Sequence, residues 1–221
     1  VMRQDDGGAR TLQLGDVVTK GDVLLTAQNG VVEISLGGTA VATGLRRLIT
    51  RFDWDGVNLA ELYFESLEGH LNAARFTPMN DDVRTTFQAA ANFDPHDLFD
   101  LTSPRHHTRD PQALRLFLDW RASLAARMQT EWIAELESIR TAAKPNLDLV
   151  LTHVDDRYDP HMRDLIGADA ARLLPILDQH DITFLIEDPA TIWHLGPERY
   201  TELAAKYEPL TKKPRQLAID I

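Results

Sequence analysis

Three apolar runs, LDLVLTHVDD (147–156), ITFLIED (182–188) and QLAIDI (216–221), begin about 35 residues apart, and each gap between them holds helical spacing. A repeat of that length is a βα unit, because parallel strands need a long crossover and a helix supplies it. The runs are apolar throughout, as strands covered on both faces are. Strands are therefore predicted at the three runs, with helices over about 161–179 and 197–207. A fourth run, VNLAELYF (57–64), has the length of a buried strand. The longest helical pattern, 112–142, lies between it and the next strand, and Pro145 ends it. The expected fold class is α/β, a parallel sheet bent into a partial (β/α)8-type barrel. A complete barrel needs eight strands and ~250 residues. Only four strands are readable here, so the chain is expected to be a fragment or a barrel portion joined to its N-terminal stretch.

Before residue 41 the pattern is different. Short Val, Leu and Ile runs are broken by Gly15-Asp16, Gly21-Asp22 and Asn29-Gly30, which predicts short strands at about 12–14, 22–27 and 31–36. Asn-Gly between apolar runs is a strong hairpin signal, since both turn positions favour positive φ. The expected division is a β-rich segment at 1–40 and the α/β domain at 41–221. The second part opens with a helix carrying Val41, Leu45, Leu48 and Ile49 on one side and Arg46, Arg47 and Arg51 on the other. Residues 66–110 form a long excursion, with a short helix at about 82–92 capped by Asp81 or Asp82. Excursions of that length are usually functional or mobile.

Charge and composition remove several classes. The net charge of -11 repels phosphate backbones, so nucleic acid is not an expected partner. No cysteine is present, which rules out thiolate metal sites and thiol catalysis. No apolar run approaches the roughly 20 residues of a membrane span. No leader is visible, and a chain that begins at Val1 leaves room for one upstream. Gly7-Gly8 and Gly37-Gly38 lack the phosphate-loop and dinucleotide patterns, and no Gly-x-Ser-x-Gly elbow occurs. No cofactor is expected.

In parallel α/β sheets and barrels the functional groups gather at the C-terminal ends of the strands. Here those ends read Glu61 and Glu65, then His153, Asp155 and Asp156, then Glu187 and Asp188, then Asp220. One acid beside a strand end often caps the next helix. Acids on four successive strands suggest a shared rim. Glycoside hydrolysis needs two carboxyl groups across the scissile bond, one to protonate the leaving oxygen and one to attack or to activate water. A desolvated carboxyl among other acids has a raised pKa and holds its proton. Tyr158 and Trp193 are candidates to stack on sugar faces.

The runs FDWDGVNLAELYFES (52–66), RFTPMNDDVR (75–84), LFLDWRASLAARM (116–128), LTHVDDRYDPHMRDLIGAD (151–169) and FLIEDPATIW (184–193) resemble a family of bacterial glycoside-hydrolase-like TIM barrels. The resemblance covers about residues 41–221. It implies a barrel with polysaccharide or oligosaccharide as ligand, in a bacterial setting, secreted or periplasmic. Carried onto this chain, it implies Glu61 as acid/base and Glu187 as nucleophile or partner base. Asp155, Asp156, His153, Glu65, Asp188, Tyr158 and Trp193 would then bind substrate. The N-terminal stretch, through Leu14-Gly15-Asp16-Val17-Val18, Gly21-Asp22-Val23-Leu24, Asn29-Gly30 and Val32-Glu33-Ile34, resembles the retention module of large adhesins and FecR-type β domains.

Two other readings stay open. A non-catalytic polysaccharide-binding or adhesin-related fragment would keep the rim without turnover. A metal-dependent hydrolase would draw on His153, Asp155 and His161, with His106-His107 in the long loop, although no tight HxH or HExxH spacing is present.

Overall fold

A computed structural model describes Met2–Asp5, Gly8–Thr11, Val23–Leu25 and residues 38–220. The chain falls into two compact units, 1–53 and 54–221. In the first, β1 (Met2–Asp5) pairs antiparallel with both β2 (Gly8–Thr11) and β3 (Val23–Leu25), in the order β2-β1-β3. Strand β3 falls inside the run expected at 22–27. The strands expected at 12–14 and 31–36, and the Asn29-Gly30 turn, lie outside the described residues. Helix α1 (Gly38–Arg51) falls in the same compact unit as these strands.

The second unit is built on a four-stranded, fully parallel sheet in the order β4-β5-β6-β7. Its strands are Gly56–Leu59, Asp148–Val154, Thr183–Glu187 and Leu217–Ile219. Between β4 and β5 come α2 (Asp81–Ala91) and the long α3 (Pro111–Ala143). Between β5 and β6 come α4 (His161–Ile166) and α5 (Ala170–Leu177), and α6 (Glu198–Tyr207) precedes β7. Strands laid down in sequence order with right-handed crossovers put every crossover helix on the same face. Burial differs between the two faces: Leu149, Leu151, His153, Phe184 and Ile186 are shut in, while on the alternate positions Asn58 is exposed, Val150, Thr183 and Leu185 are half-buried, and Thr152 and Val154 are buried. One face of the sheet is thus more fully covered than the other, where both were expected to be covered alike. Among the described residues the strands form an open sheet and do not close into a barrel.

Two elements differ from their expected extent. The run at 57–64 pairs only as far as Leu59, after which Glu61 turns into the left-handed region at φ 58. The helix expected over 161–179 is two helices broken at Gly167, whose φ of 81 ends α4, and Asp169 then caps α5 through the Arg172 amide. A Cβ at Gly167 would meet Phe64 Cδ2 at 3.2 Å, so both backbone and space favour glycine there.

The excursion at 66–110 is ordered and carries a core of its own. Phe76, Phe87, Phe93 and Leu98 pack with Phe117 and Leu118 of α3. At its centre the fully buried Arg121 of α3 donates to the carbonyls of Thr77 (2.8 Å), Asp164 (2.9 Å) and Leu165 (3.2 Å). The guanidinium also lies over the Phe76 ring at 4.2 Å and near the Phe64 ring at 5.2 Å. One side chain thereby joins the excursion, α3 and the end of α4. Among the described residues no helix is long and apolar enough to cross a membrane.

Candidate active site

The segment after β4 is held from behind. Gln129 of α3 donates to the Leu62 carbonyl at 2.7 Å, and the Phe64 amide donates to the Ile166 carbonyl at 2.9 Å. Between these anchors Tyr63 packs on Val154, Met162, Ile166 and Ala168, while Glu61 and Glu65 face solvent. Two residues other than glycine have positive φ among the described residues, Glu61 and Asn92. Asn92 caps the end of α2, where a left-handed residue is ordinary. Glu61 ends no helix, and a left-handed non-glycine residue costs about 1–2 kcal/mol. Such strain, where it persists, clusters at functional sites.

Across the sheet edge, β6 ends in Glu187 and β7 leads into Asp220. Glu187, Asp188, Trp193, Arg199, Tyr200 and Asp220 line an open cleft of about 340 Å³. Burial raises the Glu187 carboxyl above its usual range, and the charges of Asp220, Glu61 and Asp188 raise it further. Tyr63 is pushed up to about 12, first by burial and then by Glu187, Glu61 and Glu65. Acids from β4, β6 and β7 therefore act on one another at one end of the sheet. Among the described residues no salt bridge involves Glu61, Glu65, Glu187 or Asp220. Asp188 differs, since Arg199 Nε donates to its Oδ2 at 2.7 Å.

The corner after β5 is built for another task. Asp155 is fully buried and accepts from the amides of Arg157 (2.9 Å), Tyr158 (3.0 Å) and Asp159 (2.9 Å) and from the Tyr207 hydroxyl (2.9 Å). Asp156, also buried, takes the Ala170 amide at 3.1 Å, the His153 ring at 3.0 Å and Arg157. Burial alone would raise the Asp156 carboxyl, but the hydrogen bonds and charges of His153 and Arg157 outweigh it and hold it low. Tyr207 is itself pushed strongly up by burial and then by the two aspartates, so its hydroxyl keeps its proton and remains a donor. His153 lies on the helix-covered face, with its ring 5.1 Å from Phe184. Asp155, Asp156 and His153, expected from the sequence to bind substrate, are buried and bonded to the protein's own groups. The Tyr158 ring lies 5.6 Å from the Lys206 ammonium on α6.

Trp193 lines the same cleft. It is 64% exposed, yet its indole Nε1 donates to the Asp188 carbonyl at 3.0 Å. Of the nine expected site residues, the rim thus gathers Glu61, Glu65, Glu187, Asp188 and Trp193. Tyr63, Arg199 and Asp220 join them. Asp220 was legible as a strand end, but nothing in the sequence marked Arg199, a charged residue within an amphipathic helix.

The histidines considered for a metal are dispersed. His161 is largely exposed and bonds Asp159 at 2.9 Å, and His106 bonds Thr108 at 2.8 Å. Among the described residues no three His, Asp or Glu side chains form a group able to hold a metal ion.

No family model matches the chain, and no curated protein or solved structure matches it either.

Proposed function

We propose that this is a carbohydrate-active, hydrolase-like protein whose rim carboxylates act on a glycosidic bond. The single observation that carries this reading is Glu187, a half-buried carboxyl with a raised pKa beside Glu61 and without a cation partner among the described residues. A carboxyl in that state holds its proton to higher pH than an ordinary glutamate does, as a group that protonates a leaving oxygen must. The roles then run opposite to those implied by the family resemblance: Glu187 is the acid, and the solvent-facing Glu61 is the nucleophile or water-activating base. Trp193 offers a face on which a sugar ring can stack. The sheet is read as part of a (β/α)8-type barrel, which its all-parallel, sequential strand order supports.

The open sheet favours a second reading, a rim that binds polysaccharide without cleaving it. One experiment separates the two. Release of reducing ends from mixed oligosaccharides is measured for the wild type, Glu187→Gln and Glu61→Gln. Catalysis predicts that each variant loses about 10²–10⁴-fold in rate. Binding without release in the wild type selects the second reading. Wild-type rates in both variants would remove the carboxylates from any chemistry.

A further inference from the structure

Trp193 poses a physical question. A large indole left 64% exposed gains little from burial, and a free one would sample several rotamers. This one is held. Its Nε1 is bonded to the Asp188 carbonyl, and the loop around it is fixed by the buried Ile192 and by Thr191 Oγ1, which donates to Asp159 at 2.6 Å. Arg199 connects these parts. Its Nε donates to Asp188 Oδ2 at 2.7 Å, and its Nη1 donates to the Leu195 carbonyl at 2.9 Å and the Gly196 carbonyl at 3.3 Å. Its Nη2 donates to the Tyr200 hydroxyl at 2.6 Å, and the guanidinium lies 4.2 Å from that ring's centre. The planar fork thus binds both ends of the 188–196 loop, which only arginine's donor geometry allows.

We propose that Arg199 is the positioning residue of the rim: by clamping Asp188 to the Leu195–Gly196 turn, it holds the Trp193 indole ready as a stacking platform. The proposal rests on the carbohydrate reading only for what lands on the platform. A ring fixed beforehand spares the ligand the cost of ordering it, about 0.5–1.5 kcal/mol for one large side chain.

The test uses the full chain labelled with 5-fluorotryptophan, with the Trp193 resonance assigned by its loss in Trp193→Phe. In Arg199→Lys, which keeps the charge and loses the fork, the Trp193 fluorine signal is expected to move toward that of a free indole. The signals of Trp54, Trp120 and Trp132 should stay in place. Affinity for chitohexaose or cellohexaose should fall about three- to tenfold. An unmoved Trp193 signal overturns the proposal. Should Arg199→Lys not fold, Asp188→Ala, which removes the acceptor of Arg199 Nε, breaks the same clamp and must give the same shift. If the wild type binds neither oligosaccharide, the sugar reading fails, while the fluorine signal still decides the positioning role.

Discussion

Arg121→Met is expected to cost the second unit about 1–4 kcal/mol. The side chain is fully buried and its guanidinium serves three main-chain carbonyls at 2.8, 2.9 and 3.2 Å. Methionine fills much of the same volume but donates nothing, so three buried acceptors lose their partner at roughly 1–2 kcal/mol each. Loss of the contacts with the Phe64 and Phe76 rings adds ~1 kcal/mol. Relief works the other way. Burial drives the Arg121 pKa down to about 10. Abolishing that desolvation returns roughly 3 kcal/mol, the 2.5-unit fall from 12.5 taken at about 1.36 kcal/mol per pKa unit. The remainder is large against a typical stability of ~5–15 kcal/mol and is readily measured. Urea unfolding followed by circular dichroism at neutral pH should show a lower midpoint with an unchanged slope. Arg121→Lys, which keeps a charge but can reach fewer carbonyls, should fall between. A methionine variant within ~0.5 kcal/mol of the wild type would mean that desolvation cancels the hydrogen bonds, and Arg121 would not be what joins α3, α4 and the excursion.

Acidification should weaken the fold before ordinary carboxylates titrate. His70 and His107 meet edge to face at 5.1 Å, and burial lowers both pKa values, with Arg115 acting further on His70 against Asp164, and His106 and His70 acting on His107. The unfolded chain then binds protons that the folded one refuses, so stability is lost as pH falls through about 6.5 toward the lower folded values. Glu187, with its raised pKa, acts in the opposite sense above the usual carboxylate range. Thermal melts at pH 5.5 and 7.5 should therefore differ, and His70→Gln/His107→Gln should narrow the difference; an unchanged difference would clear the histidines. Gly167→Ala should cost about 1–2 kcal/mol, because a Cβ at φ 81 is strained and meets Phe64. Chemical denaturation checks this, and a neutral result would show that α4 can end without a left-handed residue.

The period of the βα units was legible because apolar strands and amphipathic helices follow from burial alone. Their limits were less so. VNLAELYF remains apolar past Leu59, and composition does not mark where sheet pairing stops or where Glu61 reverses its φ. Gly167 sits inside an apolar stripe that reads as one helix, and only its contact with Phe64 explains why the chain turns there. The rim acids could be read because parallel strands deliver their C-terminal ends to one edge. Which of them remain free could not. Asp155 is occupied by a hydroxyl 52 residues away and Asp156 by the start of α5, partners that only the folded chain brings near. The unequal burial of the two sheet faces was equally hidden, since Val150 and Leu185 look no different in sequence from Leu149 and Ile186.

The knot of Tyr207, Asp155 and Asp156 fastens the tip of β5 to the final turn of α6. That corner is chassis. Altering it would strand buried charge and hydroxyl together, so it offers little room for change. Change is easier in the stretches beyond β4 and β6, where Glu61, Glu65 and Glu187 enter no ion pair among the described residues.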